Sequence, residues 1–136
     1  MVNLAAVAMK SEMELLDLRS KKRAAQVIRC LPFNTRFYSD AQQIGLNAQR
    51  VWQETPEYRL TGVSWFQHAD AIEAAFRWLI TVGVLRREVD GQGLTARIRL
   101  TPLGRQLLEQ SPELPTQQAG TLERLQHFLR RLWPIR

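Results

Sequence analysis

The sequence predicts a mainly α-helical chain with one small β-hairpin, and three observations lead there. Apolar residues recur at helical spacing near residues 10–31, over 64–83 and over 121–133. Between residues 84 and 100 the period drops to two, on either side of a DGQG turn. The chain has 136 residues and one cysteine, Cys30, so a compact domain must be held by an apolar core rather than by disulfides.

The first helix is expected over 10–31, where Met13, Leu16, Ala24, Val27, Ile28 and Leu31 share a stripe and Pro32 ends it. Its RSKKR cluster at 19–23 reads as a solvated face, and Cys30 as a buried, inert thiol. A second helix is expected after Ser39, with Gln42 completing a capping box and Ala41, Ile44 and Leu46 turned inward. Over 48–63, Val51 and Trp52 call for burial, Thr55-Pro56 breaks any helix, and Tyr58-Arg59-Leu60 suits a short extended piece.

The clearest helix is SWFQHADAIEAAFRWLITVG, with Ser64 and Gln67 as a second capping box. Trp65, Ala69, Ile72, Phe76, Leu79 and Gly83 form its inner stripe, and Gly83 ends it as a left-handed cap. Asp70, Glu73, Ala74, Arg77 and Thr81 lie on the other side. Two strands follow, from Val84 to Val89 and from Thr95 to Leu100, with Arg97 and Arg99 on one face and Ile98 and Leu100 on the other. Thr101-Pro102 opens a further helix that turns Leu103, Leu107 and Leu108 inward. After the polar connector PELPTQQAG, a last amphipathic helix carries Leu122, Leu125, Phe128, Leu129, Leu132 and Trp133 on one face, opposite Arg124, His127 and Arg131.

The charge is +6, from 19 basic and 13 acidic residues, which favours polyanionic partners. No catalytic or metal-binding spacing is present: there is no HExxH or CxxC, and the two histidines, His68 and His127, stand apart. No enzyme, metal or cofactor is expected. No apolar run reaches the roughly 18–20 residues of a membrane span, the opening MVNLAAVAMK makes a poor signal peptide, and a lone cysteine suits a reducing cytoplasm. A C-terminal helix lying on a membrane, with Arg124, Arg130, Arg131 and Arg136 beside Trp133, is a weak alternative.

The order of elements, with Leu79-Ile80-Thr81-Val82-Gly83-Val84-Leu85 before the hairpin and Leu100-Thr101-Pro102-Leu103-Gly104 after it, resembles the winged helix-turn-helix domain. It is most similar to bacterial regulators of the MarR and PadR type. The resemblance covers about residues 20–110, leaving 1–19 as an N-terminal helical extension, 111–120 as a linker and 121–136 as a C-terminal amphipathic helix. It implies a DNA-binding transcriptional regulator whose helix 65–82 enters the major groove of double-stranded DNA. Gln67, His68, Ala74 and Arg77 would then face the bases. The wing's Arg86, Arg87, Arg97 and Arg99 would reach phosphates, where a planar guanidinium donates two hydrogen bonds at once.

The resemblance further implies a homodimer built on flanking helices. By its apolar content the stripe Leu122, Leu125, Phe128, Leu129, Leu132 and Trp133 must pack on its own domain or on a copy, and the copy is the favoured reading. A rival reading is a winged helix that binds protein and no DNA. It draws on Asp70 and Glu73 on the reading helix and on aromatic residues Trp52, Tyr58 and Trp65 as exposed contacts.

Overall fold

The computed structural model describes residues 3–117 and 120–132. Helix α1 (Leu4–Cys30) is followed by α2 (Thr35–Gln43), α3 (Ala48–Gln53), the single turn α4 (Thr55–Tyr58) and α5 (Ala69–Thr81). The antiparallel hairpin of β1 (Leu85–Asp90) and β2 (Gly93–Leu100) comes next, then α6 (Pro102–Gln110), a 3₁₀ turn (Leu114–Thr116) and α7 (Thr121–Leu132). The mainly helical chain with one small hairpin is as expected.

Helix α1 is continuous through residues 19 and 20, where the sequence suggested the edge of an extension. Its two halves differ in surroundings rather than in structure. Residues 3–20 are exposed throughout, whereas Ala24, Val27 and Ile28 are buried in the core. That core gathers Phe33, Phe37, Tyr38, Val51, Tyr58, Ile72, Phe76, Leu79, Leu85 and Ile98. Phe37 stacks on Phe33 at 4.0 Å between ring centroids and on Phe76 at 5.7 Å, joining α2 to α5.

Asparagine sets several of the helix starts. Asn34 and Asn47 each lend a side-chain oxygen to the amide three residues on, at 3.0 and 2.8 Å. Helix α2 therefore begins before Ser39, which lies in its interior. Its end exposes Ile44, because Gly45 adopts φ +74° and turns the chain so that Leu46 is buried instead. Before α5 the cap is His68, whose Nδ1 accepts from the Ala71 amide at 3.2 Å, so Ser64 and Gln67 are not the capping pair. Thr55-Pro56 starts a turn of helix rather than merely breaking one. Tyr58 is buried, with its hydroxyl donating to Asp40 Oδ2 at 2.8 Å. Burial and that carboxylate push the phenol up to about 12.

The phrase Leu-Thr-Pro-Leu-Gly ties the hairpin's end to its start. Thr101 caps α6 by accepting from the Gly104 amide at 3.0 Å, and its own amide donates to the Val84 carbonyl at 3.0 Å. Gly104 is packed so closely that a Cβ there would lie 2.6 Å from that same carbonyl oxygen.

Helix α7 docks on α1 by its polar side. Arg29 Nη2 donates to Glu123 Oε1 at 2.6 Å, Gln26 Nε2 to Gln126 Oε1 at 2.9 Å, and Trp78 Nε1 of α5 to His127 Nδ1 at 2.9 Å. His127 is thus buried, not solvent-facing as its arginine neighbours suggested. Leu125, Phe128, Leu129 and Leu132 face outward, so they do not pack on their own domain. The side chain of Leu122 and the whole of Trp133 lie outside the described residues. Cys30 is half-buried beside this contact, and burial pushes its thiol up.

Two outcomes follow from this packing. Gly104→Ala should lower the unfolding free energy by about 2 kcal/mol in urea, because a backbone oxygen cannot step aside. Gly91→Ala should be near neutral, since nothing lies within 4 Å of the added carbon. The second concerns pH. The hydrogen bond from Arg29 holds the Glu123 carboxyl below the usual carboxylate range. Its stabilising effect is complete above the ordinary value of about 4.3 and is lost as pH falls through the lowered one. Amide hydrogen exchange in α7 should therefore accelerate in acid relative to α5, and Glu123→Gln should remove that acid-specific difference.

Candidate nucleic-acid interface

Strand alternation decides where each hairpin arginine goes. Ile98 is fully buried, and its amide and carbonyl pair with the backbone of Leu46 at 2.7 and 3.1 Å. With Ile98 held inward, Arg97 and Arg99 must lie on the outer face. Arg86 is the direct cross-strand partner of Arg99, so it shares that face, whereas Arg87 is paired with Ile98 and points toward the body. Adjacent residues 86 and 87 thus have different jobs.

Arg87 is bound to Glu73 of α5, and both side chains are mostly buried. Its Nη1 also donates to the Ala96 carbonyl at 3.1 Å. Arg87, expected to reach phosphate, has its guanidinium engaged within the domain, where it fastens the hairpin to α5. Glu73, read from the sequence as part of a protein-binding face, is instead turned to Arg87 and Arg77. Its carboxylate takes Arg87 on one side and stands 3.9 Å from Arg77 on the other.

The outer face carries Arg86, Arg97 and Arg99, and the Glu88 carboxylate serves the last two. Arg97 Nε lies 3.4 Å and Arg99 Nε 3.3 Å from its two oxygens. Arg99 also donates to the Gln42 carbonyl at 3.0 Å, which draws it toward the end of α2. The pairing register shifts between Arg87 and Val89, so Glu88 sits at an irregularity that lets it reach both arginines. Gly45 lies under this cluster, where a Cβ would come within 2.6 Å of Arg97 Cδ. The tip is a tight reversal, with Asp90 Oδ1 accepting from the Gln92 amide at 2.7 Å.

Helix α5 starts at Ala69 and ends at Thr81, shorter than the 65–82 expected, because Trp65 and Phe66 pack on the core ahead of it. Of the residues assigned to base contact, Arg77 is 72% exposed. Gln67 and His68 are exposed on the loop and at the cap, and Ala74 is half-buried. Asp70 is exposed in the first turn, where a carboxylate suits the positive end of the helix dipole. Among the described residues, no group of three His, Cys, Asp or Glu side chains is placed to hold a metal ion. Nor, among the described residues, is any helix long and apolar enough to cross a membrane.

The sequence reading missed Glu73 and Glu88 as partners. Charge alternation around the hairpin was the available signal, but Glu73 meets Arg87 only because α5 and β1 pack together.

Fold and surface together define a mainly helical chain with one antiparallel hairpin that carries an arginine-rich outer face. The chain belongs to the Npun_F0494-like family, whose match spans residues 15–131. No curated protein and no solved structure matches it.

The different surroundings of neighbouring arginines give a direct test. Arg87→Ala should cost about 1–2 kcal/mol of stability, since it strands a largely buried carboxylate. Arg86→Ala should be neutral or slightly stabilising, since it removes one of two like charges directly opposed across the hairpin. Urea melts of the two variants would separate them.

Proposed function

We propose that the chain is a winged-helix module that binds duplex DNA, with the hairpin's outer face on the phosphate backbone and α5 toward the major groove, and that it serves as a transcriptional regulator. The order helix, bridge residue, short helix, single turn, helix, hairpin supports the winged-helix reading, with Leu46 pairing on the other side of β2 from β1.

One observation carries the DNA reading. Arg86 and Arg99 are directly opposed across the hairpin, Arg97 lies on the same face, and Glu88 is shared by Arg97 and Arg99. Like charges so placed are unfavourable within the chain, and a polyanion relieves them. Exchange of Glu88 for phosphate is cheapest at Arg97, whose side chain is 53% exposed, because exposed ion pairs contribute only about 0–1 kcal/mol. Arg77 is the side chain best placed on α5 to meet a base edge, where a guanidinium pairs with guanine.

The rival reading, a protein-binding adaptor without DNA affinity, has an observation of its own: the outward apolar face of Leu125, Phe128, Leu129 and Leu132 on α7. Gel-shift titration on mixed-sequence duplex at several salt concentrations separates the two. The regulator should bind with strong salt dependence, and Arg97→Ala/Arg99→Ala should weaken all sequences alike and flatten the log–log salt slope by about 2. Arg77→Ala should instead blunt discrimination between sequences. Unchanged affinity of the double variant at equal ionic strength would exclude the hairpin contact, and no binding by the parent would favour the adaptor.

A further inference from the structure

Among the described residues, none packs closely on the first half of α1. Residues 3–20 are exposed throughout, and at 1.5 Å per residue they project about 25 Å. A helix that length is marginal in water without a packed face. This one carries large apolar side chains that are left bare: Met9 is 63%, Met13 67% and Leu16 58% exposed.

Met9, Met13, Leu16 and Ser20 are spaced four, three and four apart, so they form one stripe, and Ala24, Val27 and Leu31 continue it into the core. The face that builds the domain therefore runs on past its edge. Its flanks are charged in a set order. On one side Lys10 precedes Asp17 by seven residues, and on the other Glu12 precedes Arg19 by seven.

We infer that a second copy of this chain packs antiparallel on the Met9–Met13–Leu16 stripe of α1. With the two-fold axis between residues 14 and 15, Met13 meets Leu16 of the copy and Met9 meets its Ser20. In that register each Lys10 comes within two residues, about 3 Å along the axis, of the copy's Asp17. Each Glu12 stands in the same relation to the copy's Arg19. Four opposite-charge contacts thus flank one apolar seam. A parallel pairing sets Glu12 against the copy's Asp17 and is disfavoured. Asp17 is free to take part: its side chain is 61% exposed although Lys21 lies 3.2 Å away on the same helix. This inference is independent of the DNA reading, since it uses none of the hairpin residues.

The test is sedimentation equilibrium on the full chain, with helix content followed by circular dichroism. The parent should dimerise in the micromolar range. Lys10→Glu or Asp17→Lys alone should raise the dimer dissociation constant about ten-fold, because each places like charges in two symmetric contacts. An equimolar mixture of the two variants should restore affinity to about the parent's, because the mixed dimer regains opposite charges at both contacts. Met13→Glu should give monomer with part of the helix signal of residues 3–20 lost and the domain's cooperative urea transition kept, because its side chain is exposed in the single chain and the bare helix is marginal alone. The inference is overturned by a parent that stays monomeric at about 100 μM, or by single variants that dimerise like the parent. It also fails if the mixture gives no rescue, or if Leu125→Glu/Phe128→Glu abolishes the dimer while Met13→Glu does not.

Discussion

The outer surface of the hairpin depends on one buried side chain and the two backbone hydrogen bonds beside it. Ile98 is fully enclosed, and its pairing with Leu46 fixes β2 against the turn that ends α2. Side chains alternate along a strand, so holding Ile98 inward puts Arg97 and Arg99 outward with no further instruction. The same registration sends Arg86 out and Arg87 in. A slip of one residue would bury two guanidinium groups and expose Ile98, which is why the apolar core sets the register so firmly. Gly45 is part of this arrangement, because the Arg97 stem lies where its side chain would be.

The hairpin is held at its base by two contacts of different kinds. Thr101 closes it through its amide on the Val84 carbonyl, and Gly104 lies against the same oxygen, so the glycine is required by a close approach rather than by an unusual φ. Arg87 and Glu73 close it through charge, in a setting shielded enough that neither group can be lost without stranding the other. The outer pairs around Glu88 are somewhat more open, most of all at Arg97. A single hairpin thus carries an ion pair that anchors it to α5 and two that share one carboxylate on its outer face.

Helix α7 shows how an amphipathic helix can dock by its polar side. Glu123, Gln126 and His127 each find a specific partner in Arg29, Gln26 and Trp78, and the apolar side is left outward. The exposed half of α1 adds a second unpartnered apolar surface. Unlike α7, its stripe has flanking charges whose order is self-complementary in the antiparallel sense.

Much of the fold was legible because it rests on local chemistry. Period-two alternation located the hairpin, Gly83 with φ +85° ended α5, and Thr-Pro opened α6. The caps were less legible. Serine followed three residues later by glutamine occurs at Ser39 and Ser64, yet Asn34 and His68 cap the helices, because a capping pattern competes with every neighbouring residue able to accept the same amide. Ile44 was expected inside and Tyr58 as an exposed contact. The turn at Gly45 and the hydrogen bond to Asp40 reversed both.

The sequence by itself determined the helical class, the hairpin and the presence of four arginines upon it, since these follow from periodicity and turn chemistry within a few residues. Only the tertiary structure decided which arginine anchors and which faces outward, that His127 is buried, and that the apolar side of α7 is not covered by its own domain. Those outcomes depend on side chains such as Glu73 and Arg87, or Trp78 and His127, that lie far apart in the chain. Their meeting is set by how α1, α5 and the hairpin pack, and no local pattern encodes that distance.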